Sequence, residues 1–139
     1  ETLSQQNIRK TDDLNEFLEE VDYLSLHLPL NEKTSHIIDK SALGKMKESA
    51  LIINTSRGGL IEEDDLHKAL IENRIAGAAM DVLEREPPQG TPELSKLDNV
   101  VITPHTAFLS QDSVSELRRK ASLEIARTLK SGTPTHPVN

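Results

Sequence analysis

Cysteine is absent from this chain. That excludes a disulfide framework and any cysteine-based metal site, and it is compatible with a reducing cytoplasm, the expected location. Tryptophan is absent too, and the aromatic residues are only Phe17, Tyr23 and Phe108. The core therefore has to be aliphatic, and a platform for stacking bases is lacking. No apolar run approaches the roughly 20 residues of a membrane span. Positive charge is in the minority: 16 Lys and Arg stand against 23 Asp and Glu, a net charge of −7. Such a balance disfavours nucleic acid and anionic membranes as partners. The first residues, Glu1 to Gln6, are polar and carry neither an initiator methionine nor a signal-peptide pattern. They read as a start within a longer protein. With 139 residues the chain is long enough for one domain with a real core. It holds no internal repeat and no low-complexity segment.

What the chain does contain is organised around one polar loop, Asn54-Thr55-Ser56-Arg57-Gly58-Gly59. An apolar run from Ala50 to Ile53 precedes it and reads as a buried strand. An acidic run, Glu62 to Asp65, follows and reads as a helix start. A polar loop at the carboxyl end of a buried strand is where open α/β sheets bind ligands. Arginine in that loop suits the two-pronged grip of a carboxylate. The two glycines let the backbone turn sharply and approach a ligand closely.

Taken in order, residues 1–11 read as loop or a short edge strand. A helix begins near Thr11–Asp13, with Leu14, Phe17, Leu18 and Val21 as its apolar face. A strand is expected from Tyr23 to about Leu28, and a short helix from about Asp39 to Met46. After the strand at residues 50–54, a helix is expected from Glu63 to Asn73, with Leu66, Leu70 and Ile71 turned inward. A strand follows from Ile75 to Val82. The Pro-rich loop at residues 82–92, a helical turn near Glu93 and a strand from Asn99 to Thr103 come next. From Ser110 or Gln111 to about Lys130 the pattern is helical, with Val114, Leu117, Ala121, Ile125 and Leu129 on one face. An irregular tail ends the chain. Strands alternating with helices at short intervals predict an α/β fold with a parallel sheet covered by helices.

Three of the expected strands end in polar residues: Arg57 after one, Asp81 with Glu86 after the next, His105 after the last. A parallel sheet puts these ends on one edge. Singly, each has a structural reading: a surface turn for Arg57, a solvated charged loop for Glu86, a capped strand end for His105. Together they suit one chemistry. An arginine fixes a carboxylate and polarises the adjacent carbonyl, a histidine gives or takes the proton on that oxygen, and a carboxylate orients the imidazole. What is then left to move is a hydride, which requires a nicotinamide cofactor.

The segments Asn54–Gly59, Gly77-Ala-Ala-Met-Asp-Val82 through Glu86-Pro87, and Thr103-Pro104-His105, in this order, resemble the NAD-dependent D-isomer-specific 2-hydroxyacid dehydrogenases. That family includes phosphoglycerate, glycerate and D-lactate dehydrogenases and the C-terminal-binding-protein corepressors. The similarity runs from about Asp22 to Asn139. It implies a Rossmann-type parallel sheet, NAD as cofactor with NADP not excluded, and a 2-hydroxy acid/2-keto acid pair as substrate. It also implies a homodimer in the full-length protein. Arg57 would bind the substrate carboxylate and carbonyl, and His105 would be the general acid or base. Glu86, directly before Pro87, would pair with His105, with Glu84 as the second candidate. Asp81 would contact the nicotinamide end of the cofactor. His27, Leu28, Pro29, Thr34, Thr55 and Ser56 would line the cofactor cleft together with Arg57, Asp81 and His105. A corepressor-like protein that senses NAD(H) without turnover is the alternative.

The family's fold carries a G-x-G-x-x-G fingerprint with an acidic residue about 20 positions on. The six glycines here, at 44, 58, 59, 77, 90 and 132, form no such pattern. The expectation is the C-terminal half of a cofactor domain, lacking the first β-α-β unit, over residues 1–109. Residues 110–139 would be a helix and tail returning to the substrate domain. The missing half-sheet would leave a central strand unpaired and apolar faces open. The chain by itself is then expected to bind NADH more weakly than micromolar and to turn over poorly. Titration calorimetry with NADH tests this, and a micromolar dissociation constant would refute it.

Overall fold

The computed structural model describes residues 8–135 and residue 137. The loop or edge strand expected at the amino end therefore lies mostly outside the described residues. The chain divides into two compact units, Glu1–His105 and Thr106–Asn139.

The first unit begins with helix α1, Leu14–Glu20, whose first N–H groups are capped by the Asp13 carboxylate. Strand β1, Tyr23–Leu26, follows, and then a short helix α2, Lys40–Leu43, capped by Asp39. Strand β2 is Leu51–Asn54 and leads through a 3-10 turn, Gly58–Leu60, into helix α3, Glu63–Ile71. No side chain caps α3, but Glu63, Asp64 and Asp65 in its first turn complement the helix dipole. Strand β3, Gly77–Met80, a 3-10 turn at Glu93–Lys96 and strand β4, Val100–Ile102, complete the unit.

The four strands form one parallel sheet in the order β1-β2-β3-β4. The register sets Leu24, Ile52, Ala78 and Val100 level with one another, and Leu26, Asn54, Met80 and Ile102 level two positions on. Alternate residues share a face. These two rows therefore look the same way, into an aliphatic core with Leu18, Leu43, Met46, Leu66, Leu70, Ile75 and Leu94. The opposite face is less covered: Tyr23 is 70% and Val101 63% exposed. Helical cover was expected of the sheet, and the core lies on one of its faces. Among the described residues β1 has a neighbour on one side only.

The sheet lets two chains approach closely at Gly77. A Cβ there would stand 2.6 Å from the Asn99 carbonyl oxygen. The strands are shorter than the apolar runs suggest. β1 stops at Leu26 rather than near Leu28, and β3 covers Gly77–Met80 rather than residues 75–82. Past Leu26 the hydrogen bonding passes to a side chain: Ser56 Oγ donates to the Leu26 carbonyl at 2.7 Å.

Two apolar faces differ from expectation. In α1 only Leu18 is buried, while Leu14 and Phe17 are exposed. In α3 the buried residues are Leu66, Ala69 and Leu70, and Ile71 is 56% exposed. At 3.6 residues per turn, Ile71 sits about 140° around the helix from Leu66, whereas Ala69 falls within about 60° of it. Small Ala69 takes the inward place that size alone would assign to Ile71.

The second unit is helix α4, Gln111–Ser131. Ser110 and Ser113 cap its start reciprocally, and Gly132, with φ 73, ends it in the left-handed conformation. The face expected to be apolar runs along it, but α4 buries none of its residues, and Leu129 is 82% exposed. Among the described residues no helix is long and apolar enough to cross a membrane.

The two positions on α3 give opposite expectations. Leu66→Ala is expected to cost about 2–5 kcal/mol and Ile71→Ala less than about 1 kcal/mol. Urea denaturation of both variants checks this.

Candidate active site

The level row at Leu26, Asn54, Met80 and Ile102 makes the carboxyl end of the sheet a single edge. The loops that leave it carry the residues singled out in the sequence.

The loop after β2 is shaped by Asn54, which is fully buried. Its Nδ2 donates to the Arg57 carbonyl at 2.9 Å, and its Oδ1 accepts from the Ser56 N–H at 3.0 Å. Ser56 Oγ ties the same loop to β1. Arg57 is left with an extended backbone, φ −144 and ψ 134, and its guanidinium donates to the Ser56 carbonyl at 2.6 Å. Among the described residues no carboxylate forms an ion pair with it. Gly58 then runs against the following loop. A Cβ at this position would lie 2.0 Å from the carbonyl carbon and oxygen of Leu83 and 2.4 Å from the nitrogen of Glu84. Any larger residue would push these two loops apart.

The loop after β3 begins with Asp81, buried at 4% exposure. Its carboxylate accepts from the Thr103 hydroxyl. Its backbone N–H donates to the Asn54 carbonyl, and its carbonyl accepts from the His105 N–H, both at 2.9 Å. Asp81 thus joins three of the four strand ends. Glu86 uses both carboxylate oxygens: Oε1 accepts from the Leu83 N–H at 2.8 Å and Oε2 from His105 Nδ1 at 2.7 Å. Burial pushes the Glu86 carboxyl up, but the hydrogen bonds from His105 and Leu83 outweigh it and hold the group below the ordinary carboxylate range. His105 has φ 53, a left-handed conformation uncommon for residues other than glycine and a kind of strain that gathers at functional sites.

Glu84, the second candidate partner of His105, is engaged elsewhere: its Oε1 lies 3.0 Å from His36 Nε2. Thr34 closes a turn. Its Oγ1 donates to the Pro29 carbonyl at 2.6 Å and accepts from the Asn31 N–H at 2.9 Å. His27 contacts Ser25 Oγ through Nε2 at 2.8 Å. A hollow of about 690 Å³ is lined by His27, Leu28 and Pro29 with Thr55, Ser56 and Arg57. Thr34 is outside its lining. A second hollow, about 460 Å³, is lined by Asp81, Glu86, Pro87, Thr103 and His105 among others. Among the described residues no grouping of His, Asp and Glu fits a metal ion.

Two residues of this arrangement carried no assigned role in the sequence. Asn54 was legible as a polar residue ending an apolar strand, which is the signal for a side chain that staples the next loop. His36 had no signal of its own, because its partners Glu62 and Glu84 are distant in the chain.

The family model for the D-isomer specific 2-hydroxyacid dehydrogenase, NAD binding domain, matches residues 1–107. A D-3-phosphoglycerate dehydrogenase of Methanocaldococcus jannaschii is 37% identical over all of this chain and 26% of its own length. A glyoxylate reductase of Korarchaeum cryptofilum is 40% identical over 91% of this chain and 38% of its own. Among solved structures, the NAD-complexed D-isomer specific 2-hydroxyacid dehydrogenase of Lactobacillus delbrueckii ssp. bulgaricus superposes with a TM-score of 0.78. It is 37% identical, over 91% of this chain and 43% of that one. The chain thus spans between a quarter and a half of the length of these relatives. With the matching model covering most of its length and the same parallel sheet beneath, the chain belongs to the D-isomer specific 2-hydroxyacid dehydrogenase family, within that family's NAD binding domain.

Proposed function

We propose that the protein carrying this chain is an NAD-dependent dehydrogenase acting on a 2-hydroxy acid/2-keto acid pair of D configuration. The observation that carries the proposal is the His105 Nδ1 to Glu86 Oε2 hydrogen bond of 2.7 Å at the carboxyl edge of a parallel sheet. A depressed Glu86 is ionised at neutral pH, so it accepts the Nδ1 proton and fixes the ring orientation. The proton exchanged with the substrate oxygen is then the one at Nε2: given in reduction, taken in oxidation.

Arg57 supplies the carboxylate grip. Its guanidinium has no competing carboxylate among the described residues, which suits it to an anionic ligand. The hollow at His27, Leu28, Pro29, Thr55 and Ser56 fits a nicotinamide nucleotide in kind. It is concave, lies beyond the carboxyl ends of parallel strands, and presents backbone and small hydroxyl groups. Asp81 and Thr103, held rigidly by each other, would face the nicotinamide end. Thr34 would act by shaping the 29–34 turn. When bound, NAD(H) supplies the hydride. Helix α4 and the residues that follow it would return to a substrate domain, and the protein would be a cytoplasmic homodimer.

His105→Ala in the complete enzyme is expected to lower kcat/KM for a 2-keto acid with NADH by roughly a hundred- to ten-thousandfold while NADH binding persists. Arg57→Lys is expected to raise KM for the keto acid by roughly tenfold or more with a smaller change in kcat. Steady-state kinetics and NADH fluorescence titration check both. Unchanged turnover in His105→Ala would sink the proposal in favour of an NAD(H)-sensing binding protein.

The Glu86 carboxyl also sets a pH dependence. Because its folded value lies below the unfolded one, its stabilisation is complete above the ordinary value of roughly 4.3 and is lost as pH falls through the folded value. Glu86→Gln is expected to be less stable than the parent at about pH 6, with the gap closing toward about pH 3. Denaturation midpoints at the two pH values measure it.

A further inference from the structure

His36 stands outside the proposed chemistry, yet it touches both loops that carry it. Its backbone has φ 50, which costs a histidine more than a glycine or an asparagine. Its N–H donates to the Gly59 carbonyl at 2.8 Å, which ties it to the Arg57 loop. Its ring lies between two carboxylates: Nδ1 is 3.0 Å from Glu62 Oε2, and Nε2 is 3.0 Å from Glu84 Oε1. Glu62 stands immediately before α3, and Glu84 precedes Glu86 by two residues.

The loop holding Glu84 and Glu86 is braced along its length. The Leu83 N–H donates to Glu86, and the Glu84 N–H donates to Glu63 Oε2 at 3.0 Å. Gly58 lies against the backbone of Leu83 and Glu84. Among the described residues, the Glu84 side chain is tied to the rest of the unit through the His36 ring.

We propose that His36 is a positioning residue: by bridging Glu62 and Glu84 while its backbone holds Gly59, it fixes the Arg57 loop relative to the Glu86 loop and so keeps Glu86 on His105. The inference rests on the dehydrogenase reading, in which the Glu86–His105 pair is the proton-handling unit. Donating to both carboxylates takes a proton on each ring nitrogen. The three side chains are 33–39% exposed, and ion pairs of that kind add little to global stability. The effect is on orientation, and orientation errors of an ångström are costly for catalysis.

The test follows the Glu86 carboxyl by carbon-13 NMR titration in this chain, in His36→Asn and in Glu84→Gln, with His105→Asn as the reference. Asparagine tolerates the left-handed backbone, so the turn is retained. Glu84→Gln keeps size and removes the charge. Loss of the bridge is expected to raise the Glu86 midpoint in both variants by at least half the rise seen in His105→Asn. A rise in His105→Asn with none in either bridge variant overturns the inference and leaves the Glu86–His105 pair standing. No rise in His105→Asn refutes the pair and the inference with it. If His36→Asn does not fold, Glu84→Gln decides by the same criterion. In the complete enzyme the matching signature is a kcat lowered by roughly tenfold with KM for NADH unchanged.

Discussion

Leu26, Asn54, Met80 and Ile102 stand side by side across the parallel sheet, and the candidate site hangs from the loops that leave them. The alignment is a consequence of burial. Leu24, Ile52 and Ala78 fill one row of the core face and Leu26 and Met80 the next. A slip of one residue in any strand would turn that strand's apolar set toward the other face. Aliphatic packing thus determines where the polar residues beyond the strand ends begin, although it makes no contact with a ligand.

Beyond the edge, the loops brace one another without regular structure. Asn54 occupies a place in the buried row but spends its amide on the Arg57 loop. Leaving such a buried polar group unpaired costs about 1–3 kcal/mol, which holds the loop in one conformation. Gly58 allows backbone to meet backbone at Leu83 and Glu84. Asp81 links the ends of β2, β3 and β4 by two backbone bonds and one from Thr103. His36 closes the arrangement from the outside, between Glu62 and Glu84. The strained backbone at His36 and His105 is what such over-determined loops sustain.

The covering of the sheet is uneven. Its core face is buried and mostly aliphatic, while Tyr23 and Val101 stand open on the other. Helix α4 is capped at both ends and amphipathic in sequence, yet it buries nothing. The chain spans less than half the length of the relatives reported above.

The sequence by itself determined the element order, the parallel sheet and the three loops that carry Arg57, Glu86 and His105. Those features follow from apolar runs, from capping residues such as Asp13 and Ser110, and from polar residues placed just after strands, all of which are local. The resemblance to the family, through the Glu86-Pro87 pattern, implied Glu86 rather than Glu84 beside His105. The helical period itself sets Ala69 rather than Ile71 with Leu66 and Leu70 on the inward face of α3. Tertiary structure alone decided that the core lies on one face of the sheet and that His36 reaches Glu84. Those outcomes depend on residues far apart in the chain meeting, as the side chains of His36 and Glu84 do at 3.0 Å, and no local period or spacing encodes such a meeting.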